Sequence, residues 1–278
     1  MTVGVAKLAL PTQSKLCDSV KLTTPIMSLE QLIQQAAQLI QATQSIVVMT
    51  GAGVSTPSGI PDFRSPDSGL WDNADPLSVA SIYAFRQNPQ NFYDWVRPLA
   101  RLLLAAQPNP AHYALAELET MGKVKAIITQ NIDNLHGKAG SQTVHELHGH
   151  FREATCIRCY RTENSADMMT KFLQNGAIPH CIHCGGVLKP NVILFGEQLP
   201  VREFLAAQMA MRQADLVLVA GSSLEVAPAS DLPQLALDNG AKLIMVNFHS
   251  TYLDPQANVV IHADVAQVLP QLVALVKN

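Results

Sequence analysis

The sequence predicts a doubly wound α/β fold: a Rossmann-like parallel sheet carrying a smaller inserted domain. Three observations predict it. Short β-branched apolar runs recur along the chain and alternate with helical stretches, the pattern of a parallel sheet covered on both faces. A glycine-rich turn, Gly51-Ala52-Gly53, directly follows the first run. Two Cys-x-x-Cys pairs, Cys156/Cys159 and Cys181/Cys184, lie in a stretch that interrupts the alternation.

Residues 1–27 show no clean periodicity and are expected to form a flexible extension; Met27 could equally be the start. Ser28 then caps a helix, with Gln31 completing a capping box. Leu29, Leu32, Ile33, Ala36, Leu39 and Ile40 form its apolar face. The strand runs are 45–50, 124–129, 216–220, 242–247 and 259–261. Helical stretches are expected at 110–121, 201–213, 228–239 and 264–276. Two segments break this rhythm. Residues 72–108 are helical and aromatic, with Tyr83, Phe85, Phe92, Tyr93 and Trp95; residues 151–189 hold the cysteines. Together they are expected to make the small domain, a helical module plus a zinc module. Residues 28–71, 109–150 and 190–278 then form a discontinuous nucleotide-binding domain.

Composition narrows the function. An apolar fraction of 48% suits an α/β protein with a substantial core. A net charge of -3 gives no electrostatic reason to expect nucleic acid or an anionic membrane as the partner. No apolar run reaches the roughly 18–20 residues that span a bilayer. The N-terminal stretch lacks a hydrophobic core with a cleavage site. A cytoplasmic monomer is the expectation. In that compartment four of the five cysteines read as metal ligands, and Cys17 as a spectator.

Glycines after a strand let the backbone approach a pyrophosphate. The third glycine of the dinucleotide fingerprint is replaced by Thr56, and the chain continues as a long structured loop through Pro57 and Pro61 to Ser65. A surface loop is the plain alternative. Gln130-Asn131-Ile132-Asp133 follows the strand at 124–129, where ligands of parallel sheets bind. Their side chains suit a carboxamide and ribose hydroxyls; a helix cap is the alternative. His145, His148 and His150 cluster before the first cysteine pair, as bases, metal ligands or structural residues. Alternation would put His148 and His150 on one side of an extended chain. The cysteine spacing fits a closed four-thiolate zinc site, with His180 and His183 as less favoured ligands. The segments 189–197 and 221–226 offer backbone for pairing with a peptide, or are simply a core strand and a turn.

In these motifs the chain resembles the sirtuins, NAD-dependent protein-lysine deacylases, from about residue 28 onward. The resemblance rests on Gly-Ala-Gly-Val-Ser-x5-Pro-Asp-Phe-Arg at 51–64, Thr-Gln-Asn-Ile-Asp-x-Leu-His at 129–136, His148-Gly149, the four cysteines, Phe195-Gly196-Glu197, and Gly-Ser-Ser-Leu at 221–224. It implies that Gly51, Ala52, Gly53, Asp62, Phe63 and Arg64 hold NAD and close over its nicotinamide ribose. It places Gln130, Asn131, Ile132 and Asp133 around the nicotinamide end. Gly221, Ser222, Ser223, Asn247 and Val265 fall to the phosphate and adenosine end. Ile193, Phe195, Gly196 and Leu224 would meet the acylated-lysine peptide. Cys156, Cys159, Cys181 and Cys184 would bind one structural Zn2+. His148 and Asn131 would be catalytic, His148 accepting a proton from a ribose hydroxyl.

Two departures stand out. Residue 150 is histidine where many members carry a small polar residue. Sirtuins that remove acidic acyl groups share a Tyr-x-x-Arg motif; here Arg97 falls one place after the matching position, which turns a helical side chain by about 100°. Acetyl or apolar acyl groups are therefore expected over succinyl. Two other readings compete. One is a mono-ADP-ribosyltransferase or NAD hydrolase on the same scaffold. The other is a zinc ribbon contacting nucleic acid through Arg152, Arg158, Arg161 and Lys171, against which the acidic whole argues.

Overall fold

A computed structural model describes residues 27–62 and 75–277. The predicted extension and the expected contacts of Phe63 and Arg64 lie outside these residues. The chain enters through α1 (Leu29–Ala42), where Ser28 and Gln31 form the predicted capping box, a device that contributes about 1 kcal/mol. Strand β1 (Ile46–Thr50) follows and is buried along its whole length. After the glycine turn come three helices: α2 (Pro76–Val79), α3 (Ile82–Gln87) and α4 (Pro89–Ala105). Then α5 (Pro110–Thr120), opened by an Asn109–His112 capping box, leads into β2 (Val124–Thr129).

A short helix α6 (Leu135–Lys138) and strand β3 (Val144–Glu146) lead into the small sheet. Its members are β4 (Gly149–Cys156), β5 (Thr162–Asn164) and, beyond α7 (Ala166–Asn175), β6 (Leu188–Val192). The chain returns through α8 (Val201–Arg212), β7 (Leu216–Ala220), α9 (Leu232–Leu237), β8 (Lys242–Val246), β9 (Val259–Ile261) and α10 (Val265–Lys277).

The large sheet has the order β3-β2-β1-β7-β8-β9, all parallel. This is the doubly wound Rossmann order, with the direction of winding reversing between β1 and β7. One face buries Val48, Ile127, Leu218 and Ile244 against α1, α5 and α10. The other buries Val47, Ile128, Val219 and Met245 against α8 and α9. The small sheet is antiparallel, β5-β4-β6. The two inserted segments share a third core, where Phe85, Phe92 and Tyr93 meet Met169 and Phe172.

Two differences from the expected elements have local causes. The helix expected over 228–239 shrinks to α9, preceded by a single tight turn at 229–231. Pro233 is tolerated only in a helix's first turn, so the helix begins beside it. Strand β3 was not expected: it is three residues long and carries His145 and Glu146, with no apolar run to mark it.

Candidate active site

Ligands of doubly wound sheets bind where the winding reverses, beyond the carboxyl ends of the strands. Here β1 and β7 end side by side, and their glycine turns touch. The Gly53 amide donates to the Gly221 carbonyl at 2.9 Å. A Cβ added to Gly53 would lie 2.9 Å from the Gly221 Cα, so a larger residue would force the turns apart. The loop then winds through two tight turns, Ala52–Val54 and Thr56–Ser58, rather than directly into an α-helix. A cleft of about 1000 Å³ opens above them and runs between the large sheet and the inserted segments.

One wall of the cleft is polar and preorganised. Buried Asn131 donates to the Gly51 carbonyl and to Ser55 Oγ, both at 3.0 Å. Ser55 in turn donates to Asp133 Oδ2 at 2.7 Å. Burial raises the Asp133 pKa; the Leu135 amide and the Ser55 hydroxyl oppose that shift by binding its carboxylate. Gln130 Nε2 reaches Ser222 Oγ at 2.9 Å, and Asn247 makes paired bonds with the Ser222 backbone. Beneath this wall Thr50, Thr129 and His136 are joined by hydrogen bonds, and Thr129 Oγ1 accepts the Asn131 amide.

His148 faces the cleft where the large and small sheets meet. Its Nδ1 lies 2.9 Å from the Gln130 carbonyl. A carbonyl only accepts, so Nδ1 carries the hydrogen and Nε2 keeps its lone pair. Burial holds the pKa below the ordinary 6.5, although the Gln130 carbonyl pulls the other way. The imidazole is therefore a neutral base near pH 7, held in one tautomer. His150 does not share this position. Gly149 has φ 76°, which breaks the alternation of an extended strand, and His150 is not among the cleft-lining residues. This corrects the expectation that the two histidines face the same side.

The opposite wall is apolar. Ile60, Phe92, Trp95, Val96, Leu99 and Phe151 line it together with Val192, Ile193, Leu194 and Phe195. Helix α4 thus turns one face toward the cleft. The Tyr93 hydroxyl is taken up by the Leu188 carbonyl. The Arg97 guanidinium donates to the Leu173 and Gln174 carbonyls at 2.9 and 3.2 Å, at the end of α7. Neither residue lines the cleft.

Cys156, Cys159, Cys181 and Cys184 converge at the far end of the small sheet, with all four sulfurs within 4.8 Å of one another. The Cys156–Cys184 and Cys159–Cys181 Sγ pairs are 3.5 and 3.7 Å apart. A tetrahedron with Zn–S near 2.3 Å has edges of about 3.8 Å, so the four thiols fit zinc. Amides of Arg158 and Cys159 point at Cys156 Sγ, as a thiolate requires. His180 Nδ1 bonds the Gly185 carbonyl, and neither His180 nor His183 belongs to the cluster. Four sulfurs close the coordination shell, so the group supplies structure and leaves no open position for catalysis.

Most residues singled out in the sequence meet at this one cleft: Gly51, Ala52, Gly53, Asp62, Gln130, Asn131, Ile132, Asp133, His148, Ile193, Phe195, Gly196, Gly221, Ser222, Ser223, Asn247 and Val265 line it. Leu224 does not. Its φ is 56° and its side chain is buried among the core residues of the α8–α9 face, so a contact with a peptide would fall to its backbone. Ser55 and the α4 face were missed. Ser55 stood in the glycine motif at 51–55; the aromatic density of 83–95 marks an apolar helix but not the side of it that meets the cleft.

The chain matches the Sir2 family model over residues 51–228. It is 46% identical over 251 residues to the NAD-dependent protein deacylase 2 of Archaeoglobus fulgidus, covering 90% of this chain and 98% of that protein. A solved structure of Sir2 with a p53 peptide and NAD+ superposes with TM-score 0.80 at 38% identity, over 89% of this chain and 98% of that one. The structure of Sir2Af2 bound to a myristoylated histone peptide superposes with TM-score 0.77 at 41% identity, over 89% and 97%. Motifs, strand order and these likenesses agree: the chain belongs to the Sir2 family.

Proposed function

We propose that this protein removes acetyl and other apolar acyl groups from protein lysine side chains, using NAD as co-substrate and releasing nicotinamide, O-acyl-ADP-ribose and free lysine. The observation that carries the reading is the cleft itself. One cavity is lined by a neutral His148, held through Nδ1 by the Gln130 carbonyl, together with the polar residues and the apolar ones. NAD supplies the electrophilic ribose carbon and the leaving nicotinamide. The residues do the rest. Gly51, Ala52, Gly53 and Ser222 cradle the phosphates, Ser223, Asn247 and Val265 take the adenosine end, and Asn131, Ile132 and Asp133 hold the nicotinamide end. Asp62 takes the nicotinamide ribose. His148 accepts the ribose hydroxyl proton at Nε2. The apolar wall excludes water, which would otherwise consume the dinucleotide without touching lysine.

Ile193, Phe195 and Gly196 receive the acyl-lysine. Val96 occupies the matching position for an acid-binding arginine, and Arg97 is engaged by α7, which supports acetyl and apolar acyl groups over succinyl. Residues 72–108 and 151–189 act as the small domain, held by one zinc on the four cysteines. No helix among the described residues is long and apolar enough to cross a membrane; a cytoplasmic monomer acting on acylated proteins is the reading we adopt.

The test is product analysis with NAD and a panel of acyl-lysine peptides. Acylated ADP-ribose that requires peptide, with acetyl well ahead of succinyl, supports the reading. ADP-ribose released at the same rate without peptide means an NAD hydrolase, and ADP-ribose attached to protein means a transferase.

A further inference from the structure

Lys189 is a cation buried in β6. Its ammonium lies 2.7 Å from the Val192 carbonyl, 3.1 Å from the Pro190 carbonyl and 3.0 Å from Glu197 Oε2. A lysine has three donors, so all three are satisfied. The same Glu197 oxygen accepts the Leu194 amide at 2.9 Å. One ammonium and one carboxylate thus fold residues 189–197 back on themselves. The β4–β6 register shifts between Gly149 and Ala154, and along that stretch Lys189 binds carbonyls of β6. Burial lowers its pKa, and the Glu197 carboxylate opposes the shift.

The enclosed residues matter. Ile193, Phe195 and Gly196 face the cleft from inside this closed segment. The Ile193 amide donates to the His148 carbonyl at 2.9 Å. Lys189 pairs across the sheet with Thr155, next to the Leu188–Cys156 pair at the metal site. The Lys189–Glu197 pair therefore joins the cysteine-anchored sheet to the segment facing the acyl-lysine.

We propose that Lys189 and Glu197 are positioning residues for the acylated peptide: their pairing sets where Ile193–Gly196 stands, while the dinucleotide wall is built from other elements. This rests on the deacylase reading above. The test uses the zinc-loaded full chain with Lys189→Met, Glu197→Ala and the double variant. Steady-state kinetics with an acetyl-peptide are compared with NAD affinity by calorimetry and with zinc content. KM for the peptide should rise roughly 10- to 100-fold, as expected when a binding segment shifts by about 1 Å. NAD affinity and zinc content should hold, and the double variant should be little worse than either single one. Glu197→Ala keeps both lysine–carbonyl bonds, so it remains informative should Lys189→Met fold poorly. An unchanged peptide KM in a zinc-loaded Glu197→Ala variant, or parallel loss of peptide and NAD affinity, overturns the proposal. Absence of wild-type turnover would instead sink the deacylase reading.

Discussion

The two sheets of this protein are held together by different physics. In the large sheet β1 and β7 are buried at every position, and apolar layers cover both faces. The small sheet has three strands, several exposed positions and a minor core whose members include the cysteines themselves. Three strands with so little apolar cover are marginal alone. The first sheet stands by burial and the second by its ligand cluster and by packing against the inserted helices. The cleft lies along their seam. In the proposed function the large sheet would hold the dinucleotide and the metal-stapled sheet would present the acyl-lysine.

Removing the metal is the harshest way to break this contrast. Structural zinc binding is worth about 10–16 kcal/mol in small domains that depend on it. A chelator or Cys181→Ser should abolish hydrogen-exchange protection across β4 and β6. Protection in β1, β2 and β7 should persist. Simultaneous loss in both sheets would show that they are one cooperative unit.

The seam comes next. His148→Tyr should lower turnover by at least roughly 10²–10⁴-fold, the range of general-base catalysis. Melting temperature and zinc content should stay near wild type. Substantial deacylation by this variant would remove the base from the account.

Core substitutions sharpen the comparison further. Ile127→Ala, in the fully buried centre of β2, should cost about 2–5 kcal/mol in denaturant unfolding. Ile182→Ala, 82% exposed at the metal knuckle, should stay within about 0.5 kcal/mol. Comparable losses would mean that the knuckle packs against something.

Acid has the smallest and most graded effect. Burial lowers the pKa of His112 to about 4 and of His136 to about 3. Both bind protons more readily unfolded, near 6.5. Stability from keeping them neutral is present above about pH 6.5 and is lost as the pH falls toward 4 and below. The acid limb of kcat/KM should have its midpoint below 6.5, because burial lowers the His148 pKa in the same direction. A midpoint above 7 would contradict that.

How much could be read from the sequence follows the same division. Buried parallel strands announce themselves as β-branched runs, so β1, β2, β7 and β9 were found to within a residue. Cysteine spacing carries the metal site by itself. The cleft-facing role of α4 was not legible, because an apolar helix face reads alike whether it meets a core or a channel. Nor could pattern separate His148 from His150. That distinction rests on one left-handed dihedral at Gly149, where an added Cβ would lie 1.9 Å from the Asn191 carbonyl oxygen. The burial of the Leu224 side chain goes with another such dihedral, a positive φ that no pattern marks. Strand and zinc patterns are regular; single backbone dihedrals are not.

The central claim is that a dinucleotide and an acylated lysine meet beside the free nitrogen of His148. A crystal structure of the zinc-loaded protein with NAD and an acetyl-lysine peptide tests it most directly. The acyl oxygen should lie about 3–3.5 Å from the nicotinamide-bearing ribose carbon, with a hydroxyl of that ribose within hydrogen-bond reach of His148 Nε2. NAD bound away from the Gly51–Gly53 and Gln130–Asp133 loops, or an acyl group seated outside the α4-lined channel, would contradict it.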